Sequence, residues 1–340
     1  MITEKLALFA LNTSRKFGEQ VAASLELPLR AHEERDFGDG EHKSRSLVNV
    51  RDQQVFVIQS LYGEPGMSVN DKLCRLLFFI GSLKDAAARE ITLVAPYLCY
   101  ARKDRKTKFR DPVTTRYLAA LVEAVGTDRI LTMDVHNLQA YQNAYRCQSE
   151  HLEAKNLFAH YFAGIIADEK VVVLSPDFGG LKRAEQFGQS LGEALGQDIP
   201  LAVMAKQRSE GVVSGSTHIY GKVKGKTVVI IDDMISSGTT LARAASACQQ
   251  AGARRVFAAA THGAFTEQAS AILRDSAIEQ VVVTNTIRPL RLAEDLLRDR
   301  VRVLDVSPLF AEAIHRIWQS GSLTELLEFD LPTVILEDQN

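Results

Sequence analysis

The sequence predicts an α/β protein built on parallel sheets, and three observations support this. Seven short apolar runs, most of them rich in β-branched residues, lack the alternation of a half-exposed strand, which is typical of strands buried on both faces. Helical patterns lie between these runs, as in βαβ units. Two stretches, residues 55–97 and 228–262, repeat one pattern of strand, loop, helix and strand. The repeat predicts two similar doubly wound halves.

The apolar runs also set the expected domain organisation. A chain of 340 residues is long enough for two domains. The repeat places their boundary near residue 150, so we expect an N-terminal domain over residues 1–150 and a C-terminal domain over 151–340. The predicted strands are residues 55–58, 91–95, 130–133, 171–174, 228–231, 256–260 and 281–283.

Composition and charge narrow the class of protein. A net charge of −2 gives no overall field for holding nucleic acid. The four cysteines, Cys74, Cys99, Cys147 and Cys248, are scattered without a CxxC pair, which favours reduced thiols in a cytoplasmic protein. The apolar run at residues 6–11 is too short for a signal peptide, and the apolar runs of the chain fall short of a membrane span. We therefore expect a cytoplasmic protein that binds neither nucleic acid nor membrane.

The most informative stretch is residues 228–245, VVIIDDMISSGTTLARAA. A predicted buried strand leads into Asp232 and Asp233, and a turn of hydroxyl residues and glycine then precedes a helical pattern. Backbone N–H groups and the positive end of a helix dipole converge at such a turn, which suits a phosphate. The two carboxylates would repel that phosphate and suit a hydroxyl-rich group or Mg²⁺. A sugar phosphate meets both demands, and the repeat makes a second substrate site in the other half an expectation.

Other polar stretches allow more than one interpretation from their residues alone. DFGDGEH, residues 36–42, is punctuated by glycine and typical of a hairpin tip. The basic run at residues 102–110 fits a solvated loop, a nucleic-acid patch or a triphosphate-binding loop, and the near-neutral net charge disfavours the second. His136 and Asp177 each follow a predicted strand. A carboxylate suits Mg²⁺ better than an imidazole does.

Seven motifs together resemble one family, the ribose-phosphate diphosphokinases, also called phosphoribosyl pyrophosphate synthetases. The resemblance covers nearly the whole chain, from Leu8 to about Trp318, and the motifs occur in the order and rough spacing of that family. They are FGDGE (37–41), NDKL (70–73), PYLCYARKDRK (96–106), DVHNLQ (134–139), SPDFGG (175–180), AKQR (205–208) and THGAF (261–265). The resemblance implies two phosphoribosyltransferase-type domains and Mg²⁺-dependent transfer of the diphosphoryl group of ATP to the 1-hydroxyl of ribose 5-phosphate, which releases AMP.

The resemblance also implies roles for individual residues. The residues that match the family's ATP-binding positions are Phe37, Asp39, Glu41, Arg102 and Lys103. Those that match its ribose 5-phosphate-binding positions are Arg208, Asp232, Asp233, Ser236, Ser237, Gly238, Thr239 and Thr240. His136 and Asp177 match metal-linked positions. Lys206 and Arg208 match the catalytic cations; the Gly- and Ser-rich segment after them predicts a mobile flap that closes over the reacting phosphates.

In that family the adenine-binding hairpin reaches into a neighbouring subunit. The resemblance therefore implies a homo-oligomer, a dimer or a hexamer, with shared active sites.

Four positions depart from the family's pattern. Lys103 stands where Gln is usual, Ser236 where an acidic residue is common, Thr239 where Gly is common and Asn285 where Asp is usual. A Cβ at Thr239 narrows the approach of the backbone to phosphate.

Two alternatives stay open at this point. A phosphoribosyltransferase would use the same sugar loop, although Phe37, Arg102 and Asp177 argue for a nucleotide site. A non-catalytic regulatory paralogue would bind synthetase subunits, although such paralogues usually lose the flap cations or the acidic pair, which this chain keeps.

Overall fold

The chain divides into two compact units. The computed structural model describes residues 6–209 and 212–328, and for residues 206–209, 212–217 and 327–328 it describes the backbone alone. The first unit takes the chain up to Glu153 and includes the segment that begins at Val306, and the second extends from Ala154 to Asp305. Among the described residues, no helix combines the length and the apolar character needed to cross a bilayer.

The first unit contains a five-stranded parallel sheet and a separate hairpin. Its strands are β1 (Leu6–Ala10), β2 (His32–Asp36), β3 (His42–Ser46), β4 (Gln54–Ile58), β5 (Glu90–Ala95), β6 (Arg129–Met133) and β7 (Gln148–Leu152). Its helices are α1 (Arg15–Ser24), α2 (Val69–Asp85), α3 (Thr114–Ala124), α4 (Leu138–Ala144), α10 (Ser307–Gln319) and α11 (Leu323–Glu328). The strand order is β1-β4-β5-β6-β7, and β2 pairs only with β3 among the described strands.

The second unit contains a seven-stranded sheet. Its strands are β8 (Val171–Ser175), β9 (Leu201–Ser209), β10 (Val212–Tyr220), β11 (Thr227–Met234), β12 (Arg255–His262), β13 (Gln280–Thr284) and β14 (Val301–Leu304). Its helices are α5 (Lys155–Ile166), α6 (Leu181–Leu195), α7 (Thr239–Gln250), α8 (Ala269–Arg274) and α9 (Glu294–Asp299). The order is β10-β9-β8-β11-β12-β13-β14, and every pairing is parallel except that of β9 with β10.

The two units repeat one architecture, which confirms the predicted fold class. Each of the seven predicted runs lies within a strand, and the central strands β4 and β11 are almost completely buried. The order β1-β4-β5-β6-β7 of the first unit matches β8-β11-β12-β13-β14 of the second. In both units a helix and then an antiparallel hairpin separate the first two strands of this series. The hairpin of β2 and β3 therefore corresponds in topology to that of β9 and β10.

Helices on both faces of each sheet bury its apolar strands. In the second unit Phe162 of α5 packs edge-on against Phe187 of α6 and Phe257 of β12, with ring centroids 6.1 and 5.9 Å apart. The opposite face of that sheet is covered by α7, whose Leu241 and Ala245 are buried in the same apolar cluster as Val228 of β11. These contacts fix the strand ends, and therefore the loops that follow them.

The C-terminal helices lie with the first unit, whereas the sequence assigned residues 151–340 to the C-terminal domain. Helix α10 packs against α1, and the Phe310 and Phe17 rings meet edge-to-face with centroids 5.5 Å apart. The apolar face of α10 is buried there, with Ile314 completely buried. The periodicity of an amphipathic helix shows that one face is buried but not which element covers it. The packing of α10 against the first unit was therefore not predictable from the sequence pattern.

The segment after Arg208, which is predicted to be a mobile flap, forms a strand in its described backbone. Its mobility stays a prediction. Residues from Val212 onward form β10, which pairs antiparallel with β9 and shifts register between Val213 and Thr217. Valine, isoleucine, threonine and tyrosine are frequent in this stretch and favour a strand. Glu210 and Gly211 lie outside the described residues.

The close approach of α1 to β1 depends on a glycine. A Cβ added at Gly18 would lie 2.2 Å from the Cβ of Ala10, whereas one added at Gly81 of α2 would meet no atom within 4 Å. We expect Gly18→Ala to lower the free energy of unfolding by about 1–3 kcal/mol through overpacking. Gly81→Ala, the matched control, should raise it by about 0.5–1 kcal/mol because alanine has the higher helix propensity. Thermal and urea unfolding measure both, and equal effects of the two variants would contradict the packing argument.

Candidate functional site

A cluster of charged groups lies in the second unit where β8 and β11 end. The two strands are parallel neighbours, with Leu174 opposite Ile230, so the loops that follow them are adjacent. The β11 strand delivers Asp232 and Asp233, and the loop after β8 carries Asp177. The topology therefore brings together one predicted metal residue and the predicted sugar-binding acids.

Arg183 of α6 joins the two acids. Its Nη1 lies 3.6 Å from Asp232 Oδ1 and 3.6 Å from Asp233 Oδ1. The Asp233 side chain is only 6% exposed, and Asp232 Oδ1 accepts a hydrogen bond from the Asp233 N–H at 2.9 Å. Burial, together with the neighbouring carboxyl of Asp233, raises the pKa of Asp232 to about 8, although Arg183 acts in the opposite direction. The pair therefore holds less than two full negative charges near neutral pH.

Sequence reasoning missed Arg183. A basic pair, Lys182 and Arg183, stands at the start of α6 directly after SPDFGG, and such a pair on a helix is by default a solvated surface feature. The neighbouring position of β8 and β11 is what turns Arg183 toward the acids. One signal in the sequence could have pointed to Arg183: it stands only three residues after Gly180, the last residue of the SPDFGG motif.

The loop after β11 has the shape expected for an anion site. The loop is tied down at its start, where the Ile235 N–H donates to the His262 carbonyl at 2.9 Å. Gly238 has a φ of +82° and precedes the first residue of α7. The first bond of the helical type runs from the Ala242 N–H to the Gly238 carbonyl. Earlier N–H groups of a helix start have no partner within the helix, and here the Thr239 N–H donates to Ser237 Oγ at 3.4 Å. Ser237 and Thr239 share a hydrogen bond with hydroxyl oxygens 2.9 Å apart.

The loop that carries Asp177 is folded around its own carboxylate. Asp177 Oδ1 accepts from the Gly180 N–H at 3.1 Å, and the Asp177 carbonyl accepts from Ser175 Oγ at 2.6 Å. A Cβ at Gly180 would lie 2.8 Å from Ser175 Oγ and 3.8 Å from Arg183 Nη1. A larger residue at Gly180 would therefore displace this turn. Asp177 itself is exposed.

The predicted catalytic cations lie on β9. Lys206 pairs with Thr217 and Arg208 pairs with Val213 across the hairpin. The structure describes only the backbone at both residues. Positions two apart in a strand belong to one face of the pleat.

The predicted adenine-binding residues form the tip of the hairpin in the first unit. The Phe37 N–H donates to the Glu41 carbonyl at 2.9 Å, and Asp39 Oδ1 accepts from the Glu41 N–H at 3.1 Å. The Phe37 ring is 40% exposed, and the Arg35 guanidinium lies 5.3 Å from its centroid. The predicted hairpin is confirmed, and its aromatic ring is open to a planar ligand.

The basic loop is also in the first unit. Arg102 is exposed, whereas Lys103 Nζ forms an ion pair with Asp111 Oδ2 at 2.7 Å and bonds Thr107 Oγ1 at 3.0 Å. Lys103 and Thr107 hold the pKa of Asp111 well below its usual range. Lys103 therefore orders the loop from within, a contact that its charge alone did not indicate.

His136 is exposed three residues after β6 ends, in the same unit as the basic loop. Within the described residues, no group of three or more His, Cys, Asp or Glu side chains is placed to hold a metal ion. A metal bound through His136 or Asp177 would therefore depend on ligands that a substrate supplies.

These two units define an α/β protein of the phosphoribosyltransferase type, with an acidic pair and an anion-binding turn at the carboxyl edge of the second sheet. Residues 6–126 match the family model described as the N-terminal domain of ribose phosphate pyrophosphokinase, and residues 202–328 match that of the phosphoribosyl synthetase-associated domain.

The chain is similar along its length to curated proteins. It is 39% identical over 324 residues to the ribose-phosphate pyrophosphokinase of Caldanaerobacter subterraneus subsp. tengcongensis, a match that covers 95% of this chain and 98% of that protein. It is 37% identical over 332 residues to the ribose-phosphate pyrophosphokinase of Clostridium tetani, with 96% and 99% covered. The crystal structure of phosphoribosylpyrophosphate synthetase from Mycobacterium smegmatis superimposes with a TM-score of 0.85 at 35% identity, and covers 94% of this chain and 100% of that chain. The chain belongs to the ribose-phosphate pyrophosphokinase family, which confirms the resemblance, and it is an enzyme of that family.

The raised pKa of Asp232 gives a pH dependence of stability. A carboxyl whose pKa is raised from 3.8 to about 8 on folding stabilises the native state most below pH 4, and this contribution is lost as the pH rises toward 8. Asp232→Asn removes the titration. We expect the Tm of the wild type to fall relative to that of Asp232→Asn between pH 5 and 8. Calorimetry across this range measures the difference, and a constant offset between the two proteins would show that Asp232 is ionised throughout.

Proposed function

We propose that this enzyme transfers the diphosphoryl group of ATP to the 1-hydroxyl of ribose 5-phosphate, which gives 5-phosphoribosyl 1-diphosphate and AMP. The observation that carries the proposal is the arrangement after β11, where a buried acidic pair stands beside a turn that presents N–H groups and hydroxyls. This arrangement matches a molecule with both hydroxyls and a phosphate.

The sugar side of the reaction belongs to the second unit. Asp232 and Asp233 would accept hydrogen bonds from the ribose hydroxyls. Such an acid pair can still accept these bonds when it is partly protonated. The 5-phosphate would be bound by the turn of Ser236, Ser237, Gly238, Thr239 and Thr240. Arg208 would add a positive charge from β9. Arg183 would remain against the acids and keep the pair from repelling the incoming phosphate.

The nucleotide side belongs to the first unit. Phe37 would stack on adenine, with Asp39 and Glu41 accepting hydrogen bonds from donors near it. Arg102 would neutralise the triphosphate. Lys103 forms an ion pair with Asp111, so it would contact the triphosphate only while sharing that ion pair. Its contribution to ATP binding would therefore be smaller than its charge suggests.

The residues present fit a Mg²⁺ ion that arrives with its substrate. Mg²⁺ is usually bound by one or two carboxylates and substrate phosphates while it keeps several waters. Oδ1 of the exposed Asp177 carboxylate accepts a hydrogen bond from the Gly180 N–H. No such hydrogen bond to Oδ2 is seen among the described residues. Asp177 would hold an ion directly, whereas His136 would contact one only through a bound water. Bound Mg²⁺ would neutralise charge on the phosphates.

Lys206 and Arg208 would stabilise the charge that develops on the transferred group. Phosphoryl and diphosphoryl transfer offers little covalent work to a protein, so positioning and well-placed cations dominate catalysis. The shared active site of a dimer or hexamer, in which Phe37 and Lys206 come from different chains, is part of this proposal.

The defining experiment is release of AMP from ATP. We expect AMP to form only when ribose 5-phosphate and Mg²⁺ are both present, because the attacking hydroxyl belongs to the sugar. Chromatography of the nucleotide products measures it, with reactions lacking sugar or containing a chelator as controls.

The products also separate the alternatives. ADP as the sole product would contradict diphosphoryl transfer. Consumption of 5-phosphoribosyl 1-diphosphate with a nucleobase would identify a phosphoribosyltransferase. The absence of turnover together with tight binding to an active synthetase would identify a regulatory paralogue.

Lys206→Ala tests the flap. We expect kcat to fall by roughly two orders of magnitude, with little change in the KM for ribose 5-phosphate, because the cation acts on transition-state charge. Asp233→Asn should instead raise that KM. The matched control is Lys222→Ala, an exposed lysine beyond β10 that should leave both constants unchanged. Near-normal kcat in Lys206→Ala would remove this lysine from the catalytic group.

A further inference from the structure

A hydrogen bond between two side chains connects the basic loop to the turn that carries His136. Asn137 Nδ2 donates to Asp104 Oδ2 at 2.6 Å, and both residues are partly buried. Asp104 follows Arg102 and Lys103 directly, and Asn137 follows His136. The loop of Arg102 and the turn of His136 are therefore connected through a hydrogen bond between two short side chains.

The rest of the loop is ordered by contacts of its own. Asp111 Oδ2 accepts from Lys103 Nζ and from the N–H groups of Thr107 and Lys108, at 2.7, 3.1 and 2.9 Å. Thr115 Oγ1 binds the Tyr100 carbonyl at 3.2 Å, which ties the start of the loop to α3. These bonds give the loop its shape but do not join it to the end of β6. The Asp104–Asn137 bond does.

Side-chain packing around this pair would not hold the loop in place without the Asp104–Asn137 bond. A cavity of about 290 Å³ opens beside it, lined by Asp104 and Asn137 and by residues of α3 and α4, Arg116 and Asn143 among them. Atoms on the cavity side therefore give the pair little support. If the bond were broken, the loop would have room to move away from β6.

Asn137 also has an ordinary structural role, which is separable. Its Oδ1 accepts from the Ala140 N–H at 3.1 Å and caps α4. Aspartate caps a helix as well as asparagine does. A change to aspartate therefore keeps the cap and places two carboxylates face to face at Asp104.

We propose that Asn137 is a positioning residue for the nucleotide: through Asp104 it fixes the loop of Arg102 relative to the turn of His136. This inference rests on the proposed function, since it takes Arg102 and His136 as groups that act on ATP and its Mg²⁺. Neither Asp104 nor Asn137 needs to touch the nucleotide.

The test uses a reciprocal exchange in the full chain. Asn137→Asp should raise both the KM for ATP and the Kd of Mg-ATP, measured by calorimetry, by roughly ten-fold, the scale of losing a hydrogen bond to a charged group. The KM for ribose 5-phosphate and the Tm should stay near the wild-type values. Asp104→Asn keeps a neutral amide pair and should have a small effect. The double variant restores an amide-to-carboxylate bond with reversed direction and should recover the affinity to within about three-fold.

Asn143→Asp is the matched control, because it adds the same charge on the same helix and lines the same cavity without bonding Asp104. We expect wild-type affinity for Mg-ATP in this variant. An unchanged Kd in Asn137→Asp, a parallel rise of both KM values with a lower Tm, or no recovery in the double variant would overturn the inference. A wild type that binds no Mg-ATP would overturn the proposed function, and the positioning role with it. Wild-type binding with unaffected variants would overturn the positioning role alone.

Discussion

The electrostatics of the second unit depend on keeping two adjacent carboxylates at the end of a buried strand. Asp232 and Asp233 follow four apolar residues of β11, and the sheet carries them to a place where water screens little of their repulsion. The described side chains meet this constraint with the cation Arg183 and with a raised pKa for Asp232. Both depend on β8 lying beside β11, because the loop after β8 leads into the helix that presents Arg183. The parallel order of the sheet is therefore also an electrostatic requirement.

The duplicated architecture does not give two equal anion sites, and local chemistry explains the difference. Helix α2 starts after β4 as α7 starts after β11, but Ser68 and Asp71 form a capping box at its N-terminus. The Asp71 carboxylate accepts from the Ser68 N–H, Ser68 Oγ accepts from the Asp71 N–H, and the charge of the carboxylate repels a phosphate. Lys72, which is 1% exposed, is paired with Glu64 at 3.2 Å in the same loop. The N-cap residue of helix α7 is instead Gly238, which provides no side-chain cap. Of these two helix starts, that of α7 is thus the better suited to an anion.

Strands were predictable from the sequence where burial on both faces produces a continuous apolar run. They were missed where only hydrogen bonding to a neighbouring strand defines them. Each of the seven predicted runs became an inner strand of a sheet, since residues covered on both faces must all be apolar. The mostly polar strand β7 (QSEHL) and the short, half-exposed strand β14 (VRVL) lie at sheet edges and show no such pattern. Motifs located Asp177, Asp232 and the turn at Gly238 in advance. Arg183 and Asn137 escaped because their importance comes from partners that are distant along the chain, 50 residues away for Asp233 and 33 for Asp104.

Two departures from the family pattern, Thr239 and Asn285, have local explanations in this structure. The strained position of the phosphate turn is Gly238, where φ is +82° and a Cβ would lie 3.0 Å from a Leu273 methyl carbon, so glycine is required there. Thr239 is the first residue of α7, and its hydroxyl bonds Ser237 Oγ. A Cβ at Thr239 therefore belongs to a helix start, where threonine is acceptable, and its hydroxyl adds a donor beside the N–H groups of the turn. Asn285 donates from Nδ2 to Asp305 Oδ1 at 2.6 Å, a contact in which the usual aspartate would oppose a second carboxylate. Position 285 is thus matched to position 305, and this pair joins the segments that follow β13 and β14.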